Sequence, residues 1–403
     1  MLKWCWIYFK NTGEYMKKIM FIQNEGNVVG GVWYVNKTLA EEFAKKGFDV
    51  EILSVRNNQM EKNVSCGSRV KLSVINGELP WNLVRKKTVI EPLKKLDIIS
   101  FFKRLRSYFV SKKTLLEDYK KMQKYIIKEN PDYIIASQYQ VLKGIPKAFL
   151  KKTVYEHHRS FDMFKIERDN YKVIKKYNDL IFGYVWLSKS ALNKAVNAGF
   201  KNNYCIYNPV RFSTNNQADV LLNKKLVVIS RIENTLKRIN LMIELVDKVF
   251  KSSKYKDWVF EIYGLGDFDE DSKKIIKNNN QIVYKGPTNN PKDVLLSSSI
   301  NLNTSVSEGF SLSILEASMC GVPTVTFNHG EAVFEEVLDN NTGFVVKQND
   351  NELYVKKLEI LMSNDEKLKS FSDNCKEYSN NFLVSNIIDD WLELFKEIDK
   401  EIL

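Results

Sequence analysis

The chain of 403 residues is short of the groups that usually staple small or metal-built proteins. Its five Cys, at positions 5, 66, 205, 320 and 375, are odd in number and scattered, with no C-x-x-C, and there are only three His. That argues against a disulfide framework and a zinc cage, and it suits a reduced, cytoplasmic compartment. Eight Pro and 17 Gly leave no room for a long flexible linker. No window approaches the ~18 consecutive apolar residues of a membrane span. The apolar stretch Trp4–Phe9 is too short to span and lacks a small-residue cleavage site. Residues 1–15 are therefore read as an extension ahead of Met16, with an amphipathic foot on a membrane as the alternative. What is present is ordinary for a folded protein: 44 % hydrophobic and 27 % charged residues, enough for two cores and against a disordered or collagen-like chain. Acid is outnumbered by base, 49 against 61, for a net +12. Such a balance calls for an anionic partner: nucleic acid, a membrane face or a phosphorylated small molecule. No nucleic-acid reader motif supports the first.

Along the chain, short apolar runs alternate with amphipathic stretches. Lys18–Gln23 is an apolar strand, EGNVVGG a glycine loop, and residues 32–46 an amphipathic helix with Gly47 at its C-cap; Val50–Val55 is the next strand. This strand–loop–helix–strand unit opens a doubly wound α/β domain. Further strands are expected at Tyr133–Ala136, Thr153–Tyr155, Gly183–Leu187 and Cys205–Tyr207. After Asn208-Pro209 and the polar stretch FSTNNQADV, a second α/β series begins at Lys225. Its last helix, over 385–399, has Ser385 as the expected N-cap. The economical division is 1–209 and 210–403, with the last helix packing back on the N-terminal domain. Residues 85–128 form a basic helical region carrying 14 Lys/Arg against four Asp/Glu, interleaved with apolar residues. It reads either as a solvated helical hairpin or as an electropositive face toward anionic lipid or acceptor.

The most informative segment is SVSEGFSLSILEASMCGVP, residues 305–323. Leu312, Leu315 and Met319 recur at helical spacing, and Gly321 and Pro323 stop the helix. Glu308 lies in the loop before it and Glu316 eight residues on, within it. The free helix N-terminus at Phe310, Ser311 and Leu312 offers unpaired N–H groups and the positive end of the dipole, suited to a diphosphate. Gly309 permits close backbone approach. Carboxylates pair with vicinal hydroxyls, so the pattern reads as a diphosphate between two hydroxylated rings.

E-x7-E around G-F, followed by G-x-P, resembles glycosyltransferase family 4, retaining enzymes of the GT-B fold, in which two Rossmann-like doubly wound domains face across a cleft. LVVISRIENTLKRINLMIEL is similar to the family's strand, Arg, loop, Lys, helix segment, and FEIYGLG to its strand ending in G-x-G. GNVVGGVWYVNKTL resembles its G-G loop and first helix, VYEHHRSF its strand and catalytic-region His, and IYNPV the run into the hinge.

The resemblance implies roles. Arg231 and Lys237 neutralise the donor diphosphate and stabilise the departing nucleotide. Glu308 contacts the donor sugar hydroxyls and Glu316 the ribose. Gly31 brings a backbone N–H to the diphosphate from the other domain, with Gly309, Phe310, Ser311 and Leu312 on the near side. His157, or its neighbour His158, lies near the reacting sugar. The implied enzyme is a retaining, metal-independent hexosyl- or N-acetylhexosaminyltransferase of bacterial cell-surface polysaccharide synthesis. It moves a sugar from a nucleotide sugar, a UDP-sugar by expectation, to a lipid-linked or polymeric acceptor in capsule, lipopolysaccharide or teichoic acid. Such an enzyme is expected in the cytoplasm or peripheral on the inner face of the cell membrane. The alternative is a catalytically silent GT-B module that binds an acceptor or a partner transferase.

There are departures. Arg238 stands where many members have Gly after the Lys, Ser311 where Gly follows G-F, and Asn328-His329-Gly330 replaces a more glycine-rich loop. His329 is read as a loop residue with no role. Gly264 and Gly266 are read as turn formers. Asp267-Phe268-Asp269 spells the D-x-D of another transferase fold, but it precedes a helix, where Asp caps well.

Overall fold

A computed structural model describes residues 16–26, 30–57, 66–76 and 98–402. The chain builds two parallel sheets. The first contains β1 (Lys18–Gly26), β2 (Asp49–Asn57), β3 (Val70–Asn76), β4 (Tyr133–Ala136), β5 (Thr153–His157), β6 (Gly183–Trp186) and β7 (Asn203–Cys205), in the order β3-β2-β1-β4-β5-β6-β7. The second contains β8 (Lys225–Ile229), β9 (Val259–Tyr263), β10 (Ile282–Gly286), β11 (Ile300–Asn303), β12 (Thr324–Phe327) and β13 (Gly343–Val346), in the order β10-β9-β8-β11-β12-β13. Strands such as Ile19–Ile22 and Leu226–Val228 are buried on both faces, as continuous aliphatic runs in parallel sheets must be. Each order reverses once, between β1 and β4 and between β8 and β11, which is where doubly wound sheets bind ligands. The expected α/β class with two Rossmann-like domains is what the chain forms.

Gly47, at φ +95°, ends the helix Gly31–Lys45: the amides of Gly47 and Phe48 bond back to Ala44 and Phe43. Ser385 is not an N-cap. The last helix starts at Val384, and the Ser385 hydroxyl turns to Asn386 inside the first turn.

Sheet membership changes between Cys205 and Lys225, but compactness divides the chain differently. Residues 1–156, 176–183 and 394–403 make one unit; residues 157–175 and 184–393 make the other. The stretch after His157 falls in the second unit because its polar groups bond there: Ser160 to Ser307 and the Phe161 amide to Glu331. In the first unit, Phe395 stacks on Tyr133 at 4.1 Å and meets Phe43 at 5.4 Å, while the Tyr133 hydroxyl donates to Asp399 at 2.9 Å.

The basic region is described only from residue 98; residues 85–97 and the extension 1–15 lie outside the described residues. Ile98–Glu129 is one 32-residue helix. Its C-terminal half enters the first unit's core through Tyr119, Met122 and Ile126. Buried Asp118 takes the Arg56 guanidinium at 2.9 and 2.6 Å and the Asn76 amide at 2.9 Å, so three elements meet on one carboxylate. A separate stripe of the same helix carries the exposed apolar side chains Ile98, Phe102, Phe109 and Leu116.

Candidate active site

The loops beyond the carboxyl edge of the second sheet are tied to one another by backbone contacts that only glycine allows. A Cβ on Gly264, at φ +154°, would lie 1.7 Å from the Ser230 carbonyl oxygen; one on Gly266, at φ +136°, would lie 2.1 Å from that of Ile232. The Ile232 amide closes the contact on Leu265 at 2.7 Å. Gly264 and Gly266 thus serve as turn formers, and the turn clamps the backbone on both sides of Arg231. The Arg231 guanidinium itself is exposed and has no hydrogen-bond or ion-pair partner among the described residues.

Lys237, six residues on, forms an ion pair with Glu308. The Ser305 hydroxyl donates to the same Glu308 oxygen at 2.7 Å. Burial works to raise the Glu308 carboxyl, but the charges of Lys237 and His329 and the bonds from Lys237 and Ser305 outweigh it and hold it below the usual 4.5. Glu308 is therefore an anion facing a cation across a partly open pair.

The residue after Lys237 is strained. Arg238 sits at φ 50°, ψ 49°, the left-handed region, at the N-terminus of the helix Ile239–Phe250. For a residue with a Cβ this costs ~1–2 kcal/mol relative to glycine. Its side chain offsets the cost: Nε donates to the Thr304 carbonyl at 2.9 Å, one terminal nitrogen to Asn349 at 2.9 Å and the other to Gln348 at 2.5 Å. The guanidinium also lies 5.1 Å from the centre of the Phe327 ring.

His157 is the last residue of β5, buried between Phe164 at 4.5 Å and Trp186 at 5.2 Å. Burial, helped by the charges of His158 and Arg159, pushes its imidazole down to about 3, so it is neutral. The backbone just beyond it lies on the E-x7-E loop. A Cβ on Gly309 would stand 2.4 Å from the His158 carbonyl oxygen, and the Ser160 and Ser307 hydroxyls bond at 2.9 Å. The close approach expected of Gly309 is thus made to the protein's own histidine loop.

The residues leading into and along the helix Leu312–Met319 divide among different tasks. Phe310 is buried in an apolar cluster with Leu187, Leu315, Ala332 and Phe382 and lies 5.3 Å from the Tyr207 ring. The Ser311 amide, one of the N–H groups expected to be free, donates to Glu336 at 3.0 Å. Leu312 is the first helical residue and is half-buried. Glu316 is 1 % exposed and chelated by Arg211, whose terminal nitrogen lies 2.6 Å from one carboxylate oxygen while Nε bonds the other. Burial raises the Glu316 carboxyl, and Arg211 only partly counters it.

Among the candidates, then, Lys237 and Glu308 pair, Gly309 lies on the backbone after His157, and among the described residues no hydrogen bond or ion pair joins the side chain of Arg231 or Glu316 to another candidate. Gly31 belongs to the first unit and begins the helix Gly31–Lys45, whose N-terminus has no side-chain cap and no acidic residue in its first turn. Its first amides are of the kind that receive anions.

Sequence reasoning missed Arg211, Glu336 and Gln348 and gave His329 no role. His329 is fully buried, 3.2 Å from Glu336, and its carbonyl accepts the Glu308 amide at 3.2 Å. Burial opposes its charge, but Glu336 and then Glu308 raise its imidazole above the usual 6.5. No spacing rule finds such partners. The one visible signal was at Arg238, whose departure from glycine falls on a positive φ. Asp269 caps the helix Glu270–Asn278, accepting the Ser272 amide at 2.9 Å.

The two sheets define an α/β protein of two Rossmann-like domains whose structural neighbours are GT-B proteins. Residues 214–378 match the family model described as glycosyl transferases group 1. The chain is 25 % identical over 388 residues to an uncharacterized glycosyltransferase of Haemophilus influenzae, covering 93 % of this chain and 99 % of that one. It is 27 % identical over 245 residues to a poly(ribitol-phosphate) alpha-N-acetylglucosaminyltransferase of Staphylococcus aureus, covering 59 % of this chain but 49 % of that protein. Among solved structures, TarM superposes with a TM-score of 0.71 at 17 % identity, covering 94 % of this chain and 99 % of that one. Sucrose-phosphate synthase of Thermosynechococcus elongatus superposes at 0.70 and 12 % identity, covering 96 % and 100 %. Together these findings support a glycosyltransferase of the GT-B fold.

Proposed function

We propose that the chain transfers a hexosyl or N-acetylhexosaminyl group, with retention, from a nucleotide-diphosphate sugar to a hydroxyl of a lipid-linked or polymeric cell-envelope glycan. The observation that carries this is the Lys237–Glu308 pair, whose lysine shares one loop beyond the sheet edge with the clamped, exposed Arg231, inside the matched segment. In transfer, the bond from the sugar C1 to the diphosphate oxygen breaks, the acceptor oxygen bonds to C1, and the acceptor proton leaves. Negative charge grows on the diphosphate, where Arg231 and Lys237 stabilise it. Glu308, kept ionised, accepts hydrogen bonds from donor hydroxyls, and Glu316 those of the ribose. UDP is the expected nucleotide, because a solved relative of this fold, Anabaena HepE, is described in complex with UDP-glucose. No resident metal is part of the proposal. Incubation with UDP-, GDP- and ADP-sugars and a polyol-phosphate acceptor tests it. The expected result is transfer from one donor that survives chelation and is lost in Glu308→Gln; donor binding without turnover favours the silent module.

The acceptor side is proposed to work at an anionic membrane surface. Ile98, Phe102, Phe109 and Leu116 line one exposed stripe of the helix Ile98–Glu129, with Arg106, Lys113, Lys120 and Lys124 exposed beside it. Apolar residues flanked by cations fit lipid headgroups better than a soluble polyanion. Sedimentation with anionic but not neutral vesicles is expected, and changing Phe102 and Phe109 to Ser should abolish it. Unchanged sedimentation of that variant ends the membrane reading.

A further inference from the structure

Three loops carry the charged groups of the site, and they are not joined by the Lys237–Glu308 pair alone. The first, residues 230–238, ends in Arg238. The second, 304–309, contains Glu308. The third, 328–331, contains His329. Arg238 binds the second loop directly through the Thr304 carbonyl. The Thr304 hydroxyl answers by donating to the carbonyls of Lys237 at 2.8 Å and Arg238 at 3.0 Å. Arg238 also grips the side-chain oxygen of Gln348. The Gln348 amide nitrogen then donates to the carbonyls of Ser305 and Asn328, both at 2.9 Å. One guanidinium and one amide therefore link all three loops. The product is legible in two amide bonds: Val306 to the Leu236 carbonyl at 2.7 Å and Glu308 to the His329 carbonyl at 3.2 Å.

Glycine at 238 would satisfy the left-handed backbone without strain but could make none of these side-chain bonds. An arginine kept there at a conformational cost is explained by what its fork holds. We infer that Arg238 is a positioning residue which, through Gln348, sets the spacing between Lys237 and Glu308. It makes no contact with the reacting sugar. The inference deepens the proposed transferase reading and rests on it for its kinetic arm only.

The test compares Arg238→Gly, Gln348→Ala and the double variant in the full chain. In the free protein, hydrogen exchange at the Val306 and Glu308 amides is expected to accelerate about tenfold or more in Arg238→Gly, while amides of the remote helix Asn351–Ser363 keep their rates. Relief of backbone strain is expected to keep the melting temperature close to that of the parent. With a turned-over nucleotide sugar, kcat is expected to fall about tenfold at little changed donor KM, and the double variant to be no worse than the more impaired single one. Parent exchange rates at both amides overturn the inference, as does parent kcat, or a loss that multiplies in the double variant. If the parent protein turns over no nucleotide sugar, the transferase reading fails, and the exchange arm still decides the role of Arg238. Should Arg238→Gly fold poorly, Gln348→Ala carries the same exchange and kcat arms.

Discussion

Glu308 and Glu316 come from one motif, eight residues apart, yet the fold treats them oppositely. Glu308 lies in a loop, shares its charge with Lys237 and Ser305, and is held below the ordinary carboxylate value. Glu316 lies inside a helix, sealed from water against Arg211, and is held above it. One is an anion in a partly open pair, with a donor-sugar contact proposed for it. The other is a buried carboxyl committed to Arg211, with a ribose contact still proposed for it. A two-carboxylate motif is thus not two equivalent ligands.

The largest expected effect tests the first half of the contrast. Lys237→Met should lower turnover of a nucleotide sugar roughly 10²–10³-fold, the usual consequence of removing one stabiliser of developing charge. Steady-state kinetics measures it, and an unchanged kcat would make the pair structural. Next, Glu316→Gln should cost about 2–3 kcal/mol in urea unfolding, because it breaks a two-pronged, largely buried pair with Arg211. Replacing Arg211 and Glu316 together by Met should recover most of that; a double variant no better than the single one contradicts the committed pair. Gly309→Ala should cost about 1–3 kcal/mol through the collision with the His158 carbonyl, read as a lower thermal midpoint. The smallest effect is the sharpest. The stabilisation from Glu308 is complete above its unfolded value and is lost as pH falls through its depressed folded value. Glu316 favours its protonated form in the fold, so its contribution is complete at low pH and is lost as pH rises above its unfolded value. Thermal midpoints between about pH 3 and pH 7 should therefore flatten on the acid side in Glu308→Gln and on the higher-pH side in Glu316→Gln. Parallel shifts in both variants would erase the distinction.

Much of the architecture was legible because parallel strands are aliphatic runs: Tyr133–Ala136 stands where the sequence placed it, and the strands at Thr153 and Gly183 begin where expected. β3 escaped because only Val70 in it is buried, so VKLSVIN has no periodic signature. The helix Asp365–Tyr378 escaped because its buried stripe of Leu368, Phe371, Ser372 and Cys375 is half polar or weakly apolar. In the site, charged residues at strand ends could be picked out by position, but their partners could not. Arg211 reaches Glu316 across 105 residues, and Glu336 reaches the Ser311 amide across 25. Such pairings are decided by which loops meet, and that is a property of the assembled sheet.

The last ten residues close the first unit: Phe395 covers Tyr133 and Phe43, and Asp399 takes the Tyr133 hydroxyl. A ribosome delivers Phe43 and Tyr133 long before Phe395. During synthesis that aromatic surface waits for Phe395, while the whole of the second unit, residues 157–175 and 184–393, has already been made. A chain stalled short of Phe395 therefore leaves Phe43 and Tyr133 without this aromatic cover, so the first unit is finished by residues made long after its sheet.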